Sequence, residues 1–339
     1  AAAFCPFFRQ ERDGHADAQV GDNVPHMNQV DITIRVDGVI VERSQREIGW
    51  FYNHKIQINE RLDYLGITPI TNSSSKDIEI KFSNYGSENK NLLDNQFELK
   101  PNYGFYYRKK IGFFEFLNGK VIRIHLEGET DTTFFQTLFN FPFACIFAQK
   151  GFHPIHASAV RFREKTILFP GITKQGKSSL AATLIKIGGK LITEDIALFR
   201  LTQNKETLLP SYPLIKLSKE VNEEISFSSR EPFKLTKSDL ERDLYKLDRK
   251  DFYNQESKID VVIFPEWSEV EELKSITHKQ AVMKLISSNF FTSELPSLEI
   301  NSLKNNLAVI RNAKCFEFKR KKQLRNIKNF QKLIEEIFI

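Results

Sequence analysis

The sequence predicts an α/β domain preceded by a mostly antiparallel β domain, and two observations carry that expectation. Between residues 29 and 126, short strand-like runs are separated by turn dipeptides. From residue 151 the texture changes to strand, glycine-containing loop, helix and strand, the order of a nucleotide-binding βαβ unit. Length and composition agree. A chain of 339 residues exceeds one comfortable core, and 41% hydrophobic with 27% charged residues is globular composition. The 30 phenylalanines supply large side chains to bury.

Residues 1–27 lack periodicity and end at His26-Met27, so they are expected to be a leader or a tail outside the fold. The β domain is expected over 28–150. Val30, Ile32, Ile34 and Val36 alternate with Asp31, Thr33, Arg35 and Asp37, and Asp37-Gly38 predicts a hairpin into Val39-Ile40-Val41. Further strands are expected at 77–82, 104–108, 112–116 and 121–126, with Asn118-Gly119 as a second hairpin turn. The apolar run 132–148 contains Gln136, Asn140 and Pro142 and falls short of the roughly 20 clean apolar residues of a membrane span. A buried helix over 132–149 is expected there.

The α/β domain is expected over 151–316. Strands are read at 156–162 and 166–169, a helix begins near Lys177, Gly188-Gly189 stops it, and a strand follows at 190–193. The apolar run 259–264, interrupted only by Asp260, predicts a central strand. Residues 317–339 read as a basic C-terminal helix. Lys319-Arg320-Lys321-Lys322, Arg325, Lys328 and Lys332 are interleaved with Leu324, Ile327, Phe330, Leu333 and Ile334 at helical spacing. With a net charge of only +6 and no nucleic-acid motif, that run reads as a solvated helix face, and no nucleic-acid partner is expected. Three scattered cysteines without a CxxC pair suggest neither a disulfide framework nor a zinc site, and a cytoplasmic location with no membrane partner is expected.

The chemistry is carried by Gly171-Ile172-Thr173-Lys174-Gln175-Gly176-Lys177-Ser178, the GxxxxGKS pattern, followed by Ser179. The two glycines let the backbone turn its N–H groups inward around phosphate oxygens. Lys177 supplies a compact positive charge, the Ser178 hydroxyl is a ligand for Mg²⁺, and the helix adds the positive end of its dipole. ATP and Mg²⁺ are the expected cofactors. Downstream, Glu194-Asp195 ends a strand one helix after the loop, where carboxylates hold Mg²⁺ and accept the proton of an attacking hydroxyl. Upstream lies Pro154-Ile155-His156-Ala157-Ser158-Ala159, in which His156 reads either as a core histidine or as a site residue.

His156-Ala157-Ser158, a strand, the GKS loop, a helix stopped by Gly188-Gly189 and a strand ending in Glu194-Asp195 together resemble the HPr serine kinase family, whose P-loop fold is related to that of phosphoenolpyruvate carboxykinase. More loosely, Tyr212-Pro213-Leu214-Ile215-Lys216-Leu217, the strand from Ile259 and the helix from Gln280 are similar to later elements of those proteins. The layout over about 28–316 looks more like the HPr-kinase-related proteins of ribosomal-peptide biosynthesis, some of which phosphorylate a precursor-peptide serine. The resemblance implies γ-phosphoryl transfer from ATP to a hydroxyl, most readily a Ser of a peptide or small protein. It implies phosphate binding by 171–179, Asp195 as the carboxylate on Mg²⁺, Glu194 as the base and His156 near the phosphates. Two departures stand out. Glu194 replaces the usual Asp, moving the carboxylate by about 1.5 Å, and Thr173, Lys174 and Gln175 replace the Ser-Gly that relatives often carry before GK. A small-molecule kinase and a non-catalytic nucleotide-binding regulator are the alternatives, and a homo-oligomer stays open. For a peptide acceptor, an open groove lined by Lys216 and residues of 230–250 is expected, under a flap formed by 218–258.

Overall fold

A computed structural model describes residues 33–36, 46–51, 54–59, 78–83 and 92–337, except 129–133, 135–136, 139, 203–204, 226, 228–241, 292–295 and 322–326. It is a mixed α/β structure built on two large sheets.

The first sheet contains β1 (Thr33–Val36), β2 (Arg46–Phe51), β3 (His54–Asn59), β4 (Ile78–Ser83), β5 (Phe97–Leu99), β6 (Tyr103–Arg108), β7 (Gly112–Leu117) and β8 (Val121–Leu126). Their spatial order is β2-β3-β1-β4-β8-β7-β6-β5. Neighbours are antiparallel except β4 and β8, which run parallel. The Asn118-Gly119 turn forms between β7 and β8. Both residues have positive φ, 54° and 64°, and the Lys120 N–H closes the turn on the Leu117 carbonyl at 2.9 Å. The proposed hairpin turn at Asp37-Gly38, with 39–41, lies outside the described residues, as do 1–27.

Helix α1 (Phe141–Gln149) is the second segment of the expected helix over 132–149: the described residues Phe134, Thr137 and Leu138 are also helical, and a turn at Asn140 separates them from α1. Pro142 explains the start: its missing N–H is harmless in a first turn and would break an interior one. Every residue from Phe141 to Phe147 is buried. The helix packs on β7 and β8, and also on strands of the second sheet. A single core therefore joins Phe114, Ile124, Phe143 and Phe147 to Ile196, Leu198 and Leu214 across the expected boundary at 150/151.

The second half contributes β9 (His153–Phe162), β10 (Lys165–Pro170), helix α2 (Lys177–Lys186), β11 (Lys190–Thr193), β12 (Ile196–Leu201), β13 (Glu206–Leu209), β14 (Leu214–Ser218), helix α3 (Lys219–Ile225), β15 (Arg242–Lys246), β16 (Val261–Trp267), β17 (Glu272–Ser275), helices α4 (His278–Ile286) and α5 (Pro296–Ile310), β18 (Lys314–Arg320) and helix α6 (Ile327–Ile337). The main sheet runs β13-β12-β9-β10-β16-β18-β17, with β11 also on β9. Strands β10, β16 and β18 are parallel. Strand β9 lies antiparallel between β10 and β11, so the expected β10–α2–β11 crossover steps over one strand. Helix α2 ends as expected: Gly188 has φ 100°, and the Gly189 N–H caps the Leu184 carbonyl at 2.8 Å.

Two expectations are corrected. Lys319 and Arg320 belong to β18 and not to a helix, and Arg320 is buried; the C-terminal helix starts only at Ile327. Phe316 and Phe318 pack into the core from β18, which outweighs the run's helical spacing. The flap expected over 218–258 is, in its described parts, largely regular structure: α3 and β15 lie within it, and β15 pairs with β14. Among the described residues, no helix is long and apolar enough to cross a membrane.

Candidate active site

Strand β10 delivers the loop 171–176 at the C-terminal end of the parallel strands, where α/β sheets bind ligands. Gly171 and Gly176 have φ of 153° and 83°, both in the region that glycine enters freely. A Cβ on Gly171 would collide with Gln175 Oε1, which accepts the Ile172 N–H at 2.9 Å and holds the loop curled. Lys177 is buried, and its Nζ reaches back to the Ile172 carbonyl at 2.9 Å, so its ammonium lies across the loop's mouth. The Thr173 Oγ1 is buried without a hydrogen-bond partner. Lys174 is exposed, and Ser179 uses its carbonyl within helix α2, accepting from Thr183. A curled backbone, a buried cation and an orphaned hydroxyl on one loop are what a phosphate group would satisfy.

The carboxylates arrive from the other side of β9. Strands β11 and β12 both pair with β9 and break at Glu194-Asp195, where Asp195 has φ 63° and its carbonyl accepts the Ala157 N–H at 3.2 Å. Asp tolerates that left-handed conformation better than most residues. The break aims both side chains at the loop. Glu194 accepts from Ser178 Oγ at 2.5 Å and from Ser158 Oγ at 2.8 Å. Asp195 is hydrogen-bonded by Lys216 Nζ from β14, and His156 Nε2 lies 3.9 Å away, an electrostatic contact longer than a hydrogen bond.

Environment separates the two acids. Burial, reinforced by the charge of Asp195, pushes the Glu194 carboxyl up to about 7, against the two serine hydrogen bonds. Burial would raise Asp195 too, but Lys216 and His156 outweigh it and hold that carboxyl well below its ordinary value. Lys177 is lowered to about 8 by burial, against the pull of Asp195 and Glu194. Burial and the Lys177 charge hold His156 neutral, lowered to about 3. Burial and both carboxylates raise the Tyr212 phenol, which stays protonated.

The expected residues thus converge: the loop, Lys177, Ser178, Glu194, Asp195 and His156 form one cluster. Ser178, which the sequence paired with Asp195, donates instead to Glu194. Sequence reading did not single out Ser158, Tyr212, Trp267 or Arg320. Ser158 and Tyr212 sit inside the quoted motifs and were within reach. Trp267 Nε1 donates to the Lys174 carbonyl at 2.9 Å, and a Cβ on Gly176 would collide with the Arg320 guanidinium. No local pattern flagged that pair, because only the adjacency of β16 and β18 brings it to the loop. Among the described residues, no three His, Cys, Asp or Glu side chains converge as a metal cage.

No family model matches the chain, and no curated protein does. Among solved structures, the chain is similar to the Hpr(Ser) kinase/phosphatase from Coxiella burnetii, with 10% sequence identity over 54% of this chain and 94% of that one, at a TM-score of 0.29. A likeness that loose carries no functional argument, so the case for function rests on the side chains.

Proposed function

We propose that the chain is an ATP-dependent kinase that transfers the γ-phosphoryl group to a hydroxyl, the acceptor being a Ser of a peptide or small protein. The observation that carries this is the 2.5 Å contact between Ser178 and Glu194, which joins the GKS loop to a buried carboxylate from a different strand. Ser178 and Glu194 would be the residues that hold Mg²⁺ beside the loop. Bound there, Mg²⁺ would neutralise charge developing on the phosphates. Lys177 neutralises the phosphates from within the loop. Ser158 fixes the second oxygen of Glu194.

The roles of the acids exchange relative to the sequence expectation. Glu194 is the metal-side carboxylate. Asp195, kept ionised by Lys216, faces the acceptor and orients its hydroxyl, and neutral His156 stands beside it. Asp195, ionised and close to the loop, supplies a group that orienting an acceptor hydroxyl needs and nucleotide binding alone does not. A peptide acceptor is favoured over a small molecule by the layout over about 28–316, which resembles that of the peptide-modifying HPr-kinase-related proteins, and ribbon β14–β15 supplies the basic residues Lys216 and Arg242 at the site.

Calorimetric titration with ATP-Mg²⁺ tests the reading. Lys177→Ala should weaken binding at least tenfold, since hydrogen bonds to a charged group are worth about 1.5–3 kcal/mol. An unchanged affinity in that variant removes the phosphate-cradle assignment. Transfer from γ-labelled ATP to a Ser peptide library, with Ala counterparts as controls, tests the acceptor.

A further inference from the structure

We propose that Trp267 and Arg320 hold the nucleoside end of the nucleotide, the indole stacking on the base and the guanidinium meeting the phosphate next to the ribose. This rests on the reading of 171–178 as a phosphate site and extends it to a subsite that sequence did not reveal. The two residues are the last of β16 and β18 and lie opposite each other in the parallel pair. Both strands run parallel to β10, so their ends open on the same sheet edge as the loop.

Three features set this pair apart from ordinary packing. Trp267 is only partly buried, and its edge is fixed by the hydrogen bond to the Lys174 carbonyl. Arg320 sits 4.3 Å over the indole ring and abuts Gly176 at the start of helix α2. It is 3% exposed, and its Nε finds no acceptor. Glu271 and Glu224 act on it only electrostatically and do not offset burial, which lowers it to about 10. A guanidinium held out of water without a hydrogen-bonded anion is unfavourable unless an anion arrives.

The direction of the nucleotide follows from the other flank. The carboxylates stand on the β9 side, so the transferred phosphate points there, and the rest of the chain of phosphates runs across the loop toward β16 and β18. Stacking on an aromatic ring suits any base, and Arg is the residue that both stacks and binds phosphate.

Trp50 and Trp267 are the only tryptophans, so Trp50→Phe leaves emission that reports Trp267 alone. In that background, ATP-Mg²⁺ should quench emission and bind about 5- to 100-fold more tightly than inorganic triphosphate, the range that stacking of one base supplies. Trp267→Phe should keep the preference, and Trp267→Leu should abolish it while triphosphate affinity stays within about twofold. Arg320→Met should weaken ATP about tenfold or more and raise the melting temperature of the ligand-free protein, because an unpartnered buried charge is gone. A purely structural clamp predicts the reverse: a lower melting temperature for Arg320→Met, and equal losses of ATP and triphosphate in Trp267→Leu. Either result overturns the proposal. If triphosphate binds and ATP binds no better, the nucleoside subsite fails and the phosphate site stands. If neither binds, both fail.

Discussion

The two flanks of the loop 171–178 solve the burial of charge in opposite ways. On the β9 side, every charge has a partner from the protein: Lys216 on Asp195, two serines on Glu194, and Lys177 near both acids. On the β16–β18 side, Arg320 has an aromatic ring and no hydrogen-bonded anion at its Nε. A self-compensated cluster stays formed without ligand and is opened only by something that competes for its atoms, such as a metal ion. An uncompensated cation is a standing cost that a ligand removes. On this view the first flank is organised for chemistry and the second for affinity.

The largest effect should come from breaking the compensated side. Asp195→Asn strands Lys216, whose side chain is only 18% exposed, and loss of one partner from such a pair costs about 3 kcal/mol or more. Glu194→Gln should cost little stability, because the carboxyl already sits high, near 7, and a neutral amide still accepts from one serine. Its loss should appear instead as Mg²⁺ affinity, about 10- to 100-fold. Urea unfolding and Mg²⁺ titration of both variants give the readout. Equal destabilisation by the two would mean that the acids are not divided in the way their partners suggest.

Gly176 joins the flanks, being the residue before Lys177 and the one against Arg320. Gly176→Ala should destabilise by roughly 1–2 kcal/mol from the left-handed backbone alone, and further by pushing the guanidinium off the loop. Combining it with Arg320→Met should relieve the second part and not the first. Strict additivity of the two substitutions in urea unfolding would show that Arg320 does not pack on Gly176 in solution.

What the sequence disclosed divides along the same line. The loop was legible because glycines, lysine and serine act through contiguous backbone, and Glu194-Asp195 was legible by its place one helix later. Trp267 and Arg320 were not, since their meeting depends on two parallel strands separated by helices α4 and α5. Arg320 was also hidden in a run of cations whose apolar neighbours repeat at helical spacing. The apolar run 132–148 was legible as helix, and Pro142 marked where its last segment, α1, begins.

The smallest effect is a proton. Glu194 holds its proton up to about pH 7 in the folded protein, against an ordinary value of 4.5. The folded value is raised, so the stability this group contributes is fully present below pH 4.5 and lost as pH rises through 7. A cation bound at Ser178 and Glu194 needs the ionised carboxylate and must displace that proton below pH 7. Mg²⁺ affinity should therefore rise with pH, approaching tenfold per unit on the acid side, and level off above pH 7. Lys177, lowered to about 8, loses its charge above that pH, so triphosphate affinity should fall again there. His156, held near 3, should add no inflection in this range. Calorimetry of ATP-Mg²⁺ binding at pH 7 in two buffers of different ionisation enthalpy should show about half a proton more released by the native protein than by Glu194→Gln. The nucleotide's own titration is common to both and cancels in the difference. Equal proton release from the two proteins would place the metal away from Glu194 and return Asp195 to that role.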